Sequence, residues 1–118
     1  MADRARSPPR LISPALLRRR FLAALWREVC IIWPILSGVL LFQLGLGALI
    51  GRLEDWPLGD AAYFTFVTGL TIGYGDLVPT HLAARLLAML IALSGILLTG
   101  LVAAVGVQAL KVARSDPD

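Results

Sequence analysis

The sequence predicts an all-α integral membrane protein. Two membrane-spanning helices flank a short helix that enters the membrane without crossing it, and an extended segment follows that short helix. Three observations lead there. Of 118 residues, 58% are hydrophobic, well above the share in an ordinary soluble domain. Two apolar runs, residues 29–50 and 82–110, are each long enough to cross a bilayer. Between them lies Thr68 to Asp76, rich in glycine and free of charge until Asp76.

Charge is informative through its placement more than through its net value of +3. Arg4, Arg6, Arg10, Arg18, Arg19, Arg20 and Arg27 precede the first run, and Lys111 and Arg114 follow the second. Between the runs stand Glu54, Asp55, Asp60 and Asp76 against Arg52. The positive-inside rule then puts both termini in the cytoplasm, with the plasma (inner) membrane as the expected location. The single cysteine, Cys30, allows no disulfide within the chain. No Ser/His/Asp, Cys/His or phosphate-loop motif is present, so neither an enzyme nor a cofactor is expected, and nothing points to nucleic acid.

Residues 1–13 carry two prolines and several charges without periodicity, and are expected to form a disordered cytoplasmic tail. Residues 14–28 gather Leu16, Leu17, Phe21, Leu25 and Trp26 among arginines. They read either as a basic amphipathic helix on the membrane surface or as a plain charged flank that sets topology. Arg18, Arg19 and Arg20 are candidates for contact with anionic lipid in the bilayer.

The outer helix is expected over 29–51, starting near Trp33 so that Pro34 falls in its first turns, where a missing N–H costs least. Gly47 and Gly51 match a Gly-x-x-x-Gly spacing, read as general helix packing. The short helix is expected over 58–69, with Asp60 as its N-cap or Pro57 to Asp60 as its first turn. About a dozen residues give a helix of roughly 18 Å, too short to cross. The inner helix, 82–111, is longer than a perpendicular span needs and should tilt or bend. Residues 112–118 are expected to be a short polar tail.

Within 71–75, Thr71-Ile72-Gly73-Tyr74-Gly75, glycine at alternate positions lets carbonyls turn to one side, because glycine reaches positive φ at no steric cost. The product is a ladder of oxygen dipoles, suited to a hard and weakly held cation. One ladder cannot surround an ion, so several copies must meet around an axis.

Thr71-Ile72-Gly73-Tyr74-Gly75-Asp76, set between two spans and after a short apolar segment, resembles the potassium channel signature. The whole arrangement, roughly Val29 to Leu110, looks like the pore domain of the two-transmembrane potassium channels of bacteria. The resemblance implies a homotetramer with K+ as the permeant ion and no other cofactor. It implies that the carbonyls of Thr71, Ile72, Gly73 and Tyr74, with the Thr71 hydroxyl, replace the water shell of K+, and that Gly75 completes the filter. Tyr63, Phe64, Val67, Thr68 and Asp76 are implied to support the filter from behind, with the Tyr74 ring packed there and its hydroxyl seeking a partner near Tyr63, Phe64 or Thr68. Asp76 either attracts cations at the mouth or hydrogen-bonds behind the filter.

On the same alignment Gly95 is either a hinge or a packing point of the inner helix. Ile96, Thr99, Ala103, Val107 and Gln108 then line the cavity and gate. The chain departs from the family's commonest wording at Leu70, where many members carry threonine, and at Val67, where some bacterial members carry glutamate. The reading is a K+-selective channel, with a weakly selective cation channel or a non-conducting membrane anchor as alternatives.

Overall fold

The computed structural model describes residues 11–115, so most of the expected N-terminal tail and residues 116–118 lie outside the described residues. Three helices account for nearly all the rest: α1 (Pro14–Glu54), α2 (Leu58–Gly69) and α3 (Leu82–Arg114). Among the described residues there is no strand.

Helix α1 is the main departure from expectation. It is one continuous helix of 41 residues, so the expected surface helix over 14–28 and outer helix over 29–51 are a single rod. At 1.5 Å per residue it runs for about 62 Å. The reason is local: from Ala15 to Trp33 there is neither glycine nor proline, and leucine, alanine and arginine are strong helix formers. Nothing near Glu28 breaks the chain. Pro34 therefore sits inside the helix and not in its first turn.

The ends of α1 are well marked. Ser13 is the N-cap, its hydroxyl accepting from the Leu16 N–H at 3.3 Å, and Pro14 occupies the first turn, where it loses no bond. At the other end Asp55 turns left-handed, with φ 57°, and the Trp56 N–H closes back on the Gly51 carbonyl at 2.8 Å.

Helices α1 and α3 pack antiparallel. Glu54 at the end of α1 meets His81 at the start of α3, Gln43 meets Ser94 in the middle, and Ala24 and Val112 line one cavity near the far ends. Helix α3 continues to Arg114, three residues beyond the expected end. The short helix α2 is wedged between the two rods at the Glu54 end. It begins at Leu58 with Asp60 in its first turn, the second of the two starts considered, and Pro57 stands at the N-cap position.

What lets α2 in so closely is the absence of side chains opposite it. A Cβ on Gly47 would overlap the Thr65 side chain, and one on Gly51 would lie 2.7 Å from the Ala61 Cβ. The Gly-x-x-x-Gly spacing thus seats α2 against α1. Around this seat lies a small apolar core of Ile50, Phe64, Ala84 and Ile91, with Trp56 edge-on to Phe64 at a centroid distance of 5.2 Å.

Elsewhere the helices turn apolar side chains outward, among them Ile31, Ile35, Leu41 and Phe42 on α1 and Leu86, Met89, Leu93 and Leu97 on α3. Both rods are long and apolar enough to cross a membrane. A surface this apolar suits lipid or further protein, not water.

Candidate ion-conduction site

The site is built on the last turn of α2. Helix carbonyls there lack partners within the helix, and the chain that follows supplies them. The Leu70 N–H donates to the Phe66 carbonyl at 2.9 Å and the Thr71 N–H to Thr68 at 3.1 Å. Two donors then converge on Val67, whose carbonyl accepts from Ile72 at 2.9 Å and Gly73 at 3.3 Å. The segment is thereby folded back onto the helix end and leaves it as non-helical backbone.

Its dihedrals follow a strict alternation. Thr71 has φ 58°, Gly73 φ 62° and Gly75 φ 78°, whereas Ile72 and Tyr74 between them are not in that region. Alternating hand at successive residues turns successive carbonyls toward one side, the geometry that glycine at every second position makes available. The alternation starts one step earlier than the glycines do. Thr71, a β-branched residue, occupies the left-handed region without glycine's freedom.

Beyond Gly73 the support changes in kind. Among the described residues, Tyr74, Gly75 and Asp76 make no backbone–backbone hydrogen bond. Side chains hold this outer half instead. The Tyr63 hydroxyl donates to Asp76 Oδ2 at 2.9 Å, joining α2 to the end of the filter segment. Further on, the Glu54 carboxylate accepts from the Thr80 N–H at 2.9 Å, the Thr80 hydroxyl at 2.8 Å and the His81 N–H at 2.8 Å, with His81 Nδ1 at 3.0 Å. Glu54 lies beyond the apolar run. Removal from water pushes its carboxyl up, but the hydrogen bonds from His81 and Thr80 outweigh that and hold it at about 2. Arg85 adds a bond from Nε to the Pro79 carbonyl at 3.0 Å.

Behind the segment is a cavity of about 210 Å³ lined by Tyr63, Val67, Thr68, Gly73, Asp76 and Pro79 among others. Phe64 is buried in the apolar core and Val67 is buried at the cavity wall. Of the two tasks weighed for Asp76, the structure shows the hydrogen bond, made to Tyr63. The packing expected of the Tyr74 ring is not made within one chain. On this single chain it is 68% exposed, and its hydroxyl has no hydrogen-bond partner among the described residues.

On α3, Gly95 is buried and faces the end of α2: a Cβ there would overlap the Gly69 carbonyl and lie 2.9 Å from its Cα. Packing is therefore the role visible for Gly95. Thr99 turns its hydroxyl back to the Gly95 carbonyl at 2.9 Å. Ile96, Ala103, Val107 and Gln108 are exposed on this single chain. Ala103 and Val107 also line a groove with Leu17 and Phe21 of α1. Sequence reasoning missed Gln43. It is only 5% exposed in the middle of α1, and its Nε2 donates to Ser94 Oγ at 3.0 Å. A polar residue in an otherwise apolar run was the signal that could have found it. Glu54 was likewise read only as part of the outer charge.

Two long apolar helices, a short helix between them and a carbonyl-bearing segment at its end define the pore module of a membrane channel. Residues 28–112 match the family model Ion_trans_2, described as an ion channel, and the chain belongs to that family. It is 56% identical over 63 residues to Two-pore potassium channel 1 of Arabidopsis thaliana, covering 53% of this chain and 17% of that one. It is 41% identical over 66 residues to Two pore potassium channel b of Oryza sativa subsp. japonica, covering 56% and 19%. Against Potassium channel subfamily K member 17 of Homo sapiens it is 43% identical over 44 residues, covering 37% and 13%. The chain thus spans less than a fifth of the length of these relatives. No solved structure matches it.

Proposed function

We propose that this chain is the pore subunit of a K+-selective channel that conducts K+ passively down its gradient. The observation that carries the reading is the alternation of left-handed backbone at Thr71, Gly73 and Gly75, tied to the α2 terminus through Val67. In it the carbonyls of Thr71, Ile72, Gly73 and Tyr74, with the Thr71 hydroxyl, act as the ligands that replace water around K+. Tyr63 and Asp76 keep the outer end in place. Each chain supplies one filter segment, so four copies around an axis complete the path, and the exposed Ile72 and Tyr74 meet neighbouring subunits. The relatives' names, potassium channels in each case, support K+ as the ion. The chain sits in the plasma membrane with both termini cytoplasmic, as its flanking arginines favour.

The test is flux. Liposomes holding the purified protein, with K+ inside and Na+ outside, should develop a K+ diffusion potential. Tyr74→Asp should collapse the preference for K+ while leaving cation flux in place. Equal K+ and Na+ permeability in the unmutated protein would instead favour a weakly selective cation channel, and no flux in any lipid would favour a membrane anchor.

A further inference from the structure

The three helices meet at one point, and that point is the base of the filter. Gly69 is the last residue of α2 and stands two positions before Thr71. From α1, the amide of Gln43 lies against it: a Cβ on Gly69 would be 3.1 Å from Oε1 and 3.3 Å from Nε2. From α3, the Gly95 backbone lies against it closely enough that no side chain would fit.

The same Gln43 amide reaches across to α3. Nε2 donates to Ser94 Oγ at 3.0 Å and lies 3.5 Å from the Ile91 carbonyl, while the Ser94 hydroxyl donates to that carbonyl at 2.9 Å. The polar contact is thus one residue away from the Gly95 seat. It lies deep in an apolar span, where a broken bond finds no water to replace it. If α3 shifts at Gly95, either a gap opens beside Gly69 or the Gln43–Ser94 bond breaks. Such a joint has two arrangements and not a continuum of them.

We propose that Gln43 is a positioning residue for the ion path: its amide latches α3 at Ser94 and, together with Gly95, seats Gly69, so that the position of α3 sets whether the filter conducts. The proposal rests on the reading of Thr71 to Gly75 as the filter. It assigns Gln43 a part in opening and closing, and none in choosing the ion.

Single-channel recording from the full chain in planar bilayers tests this. Gln43→Leu keeps the volume and removes the amide, Ser94→Ala removes the hydroxyl, and Ser94→Thr keeps it. A hydrogen bond between membrane helices is worth enough to shift the open–closed equilibrium by about threefold to tenfold. Gln43→Leu, Ser94→Ala and the double variant should each give that shift, in one direction, the double no larger than the greater single. Ser94→Thr should behave as the unmutated protein. Unitary conductance and the K+/Na+ reversal potential should stay unchanged throughout. A purely structural residue would lower the number and thermal stability of channels without moving the equilibrium of each one.

Shifts below twofold, additive shifts, or an altered reversal potential would overturn the latch. Where Gln43→Leu does not assemble, Ser94→Ala against Ser94→Thr decides the question, since the first removes the hydroxyl and the second keeps it. Unmutated protein that passes K+ while the variants gate normally refutes the latch alone. Unmutated protein that passes no ion takes down the functional reading on which it stands.

Discussion

A threonine at φ 58° is held where its side chain would rather not be, at a cost of about 1 to 2 kcal/mol. The hydrogen bonds around it explain why it stays, since the N–H groups of Thr71, Ile72 and Gly73 all return to α2 carbonyls. Tyr63 makes a comparable contribution at the other end. A hydroxyl donating to a carboxylate makes a stronger bond than a neutral pair. Tyr63→Phe should therefore leave K+ selectivity intact and shorten conducting bursts, measured in single channels with and without high external K+. Burst lengths unchanged by the substitution would mean that the bond to Asp76 does not steady the filter. Gly73 and Gly75 were legible in the sequence because few other residues explain glycine at such spacing. The left-handed turn at Thr71 was not legible, since threonine does not advertise positive φ. Gln43 had no periodic partner to betray it, and only its packing against Gly69 and Ser94 gives it meaning.

At the level of elements, the sequence showed the apolar lengths well and the joints poorly. Helices α2 and α3 begin at Leu58 and Leu82 with no side-chain cap bond, so Asp60 stands in the first turn of α2 and not at its cap. The extent of α1 was misjudged because a change from basic to apolar composition looks like a boundary, although the backbone needs no break there. Between elements, the Glu54 carboxylate clasps the end of α1 to the start of α3, a pairing of residues that no local pattern announces. Its acid dependence follows from the lowered carboxyl. The stabilisation is complete above the ordinary carboxylate value of 4.5 and is lost as pH falls from there through about 2. Amide exchange at Thr80 and His81 should thus stay slow from neutral pH to about 4.5, after correction for intrinsic rates, and accelerate below it. Glu54→Gln should exchange faster above about pH 4.5 and lose that acid step; an acid step that survives the substitution would assign it to another carboxylate.

Seen whole, the molecule is a rod-like pair of helices 82 Å in its longest dimension. Its outward surface is apolar along the spans, and Ile72 and Tyr74 are exposed, a surface suited to lipid or further protein. From Gly51 to Arg20 along α1 is about 47 Å, well past a hydrocarbon core of about 30 Å. That length carries Arg18, Arg19 and Arg20 past the hydrocarbon core; on the cytoplasmic side proposed above, each would be worth about 1 kcal/mol of attraction to anionic lipid. Activity in vesicles should rise with the anionic fraction, and replacing all three by glutamine should remove most of that dependence without changing selectivity. An unchanged lipid response would leave these arginines with topology as their only task. The two halves of the segment Thr71 to Asp76 are fastened differently: the inner half by its own backbone to the helix that delivers it, the outer half by the Tyr63 bond to Asp76. Such a strip comes apart from one end. On the K+-channel reading proposed above, a strip drained of K+ should lose its outer rungs first and recover them last, so that its memory of having been empty is written at the mouth and its base stays ready to refill.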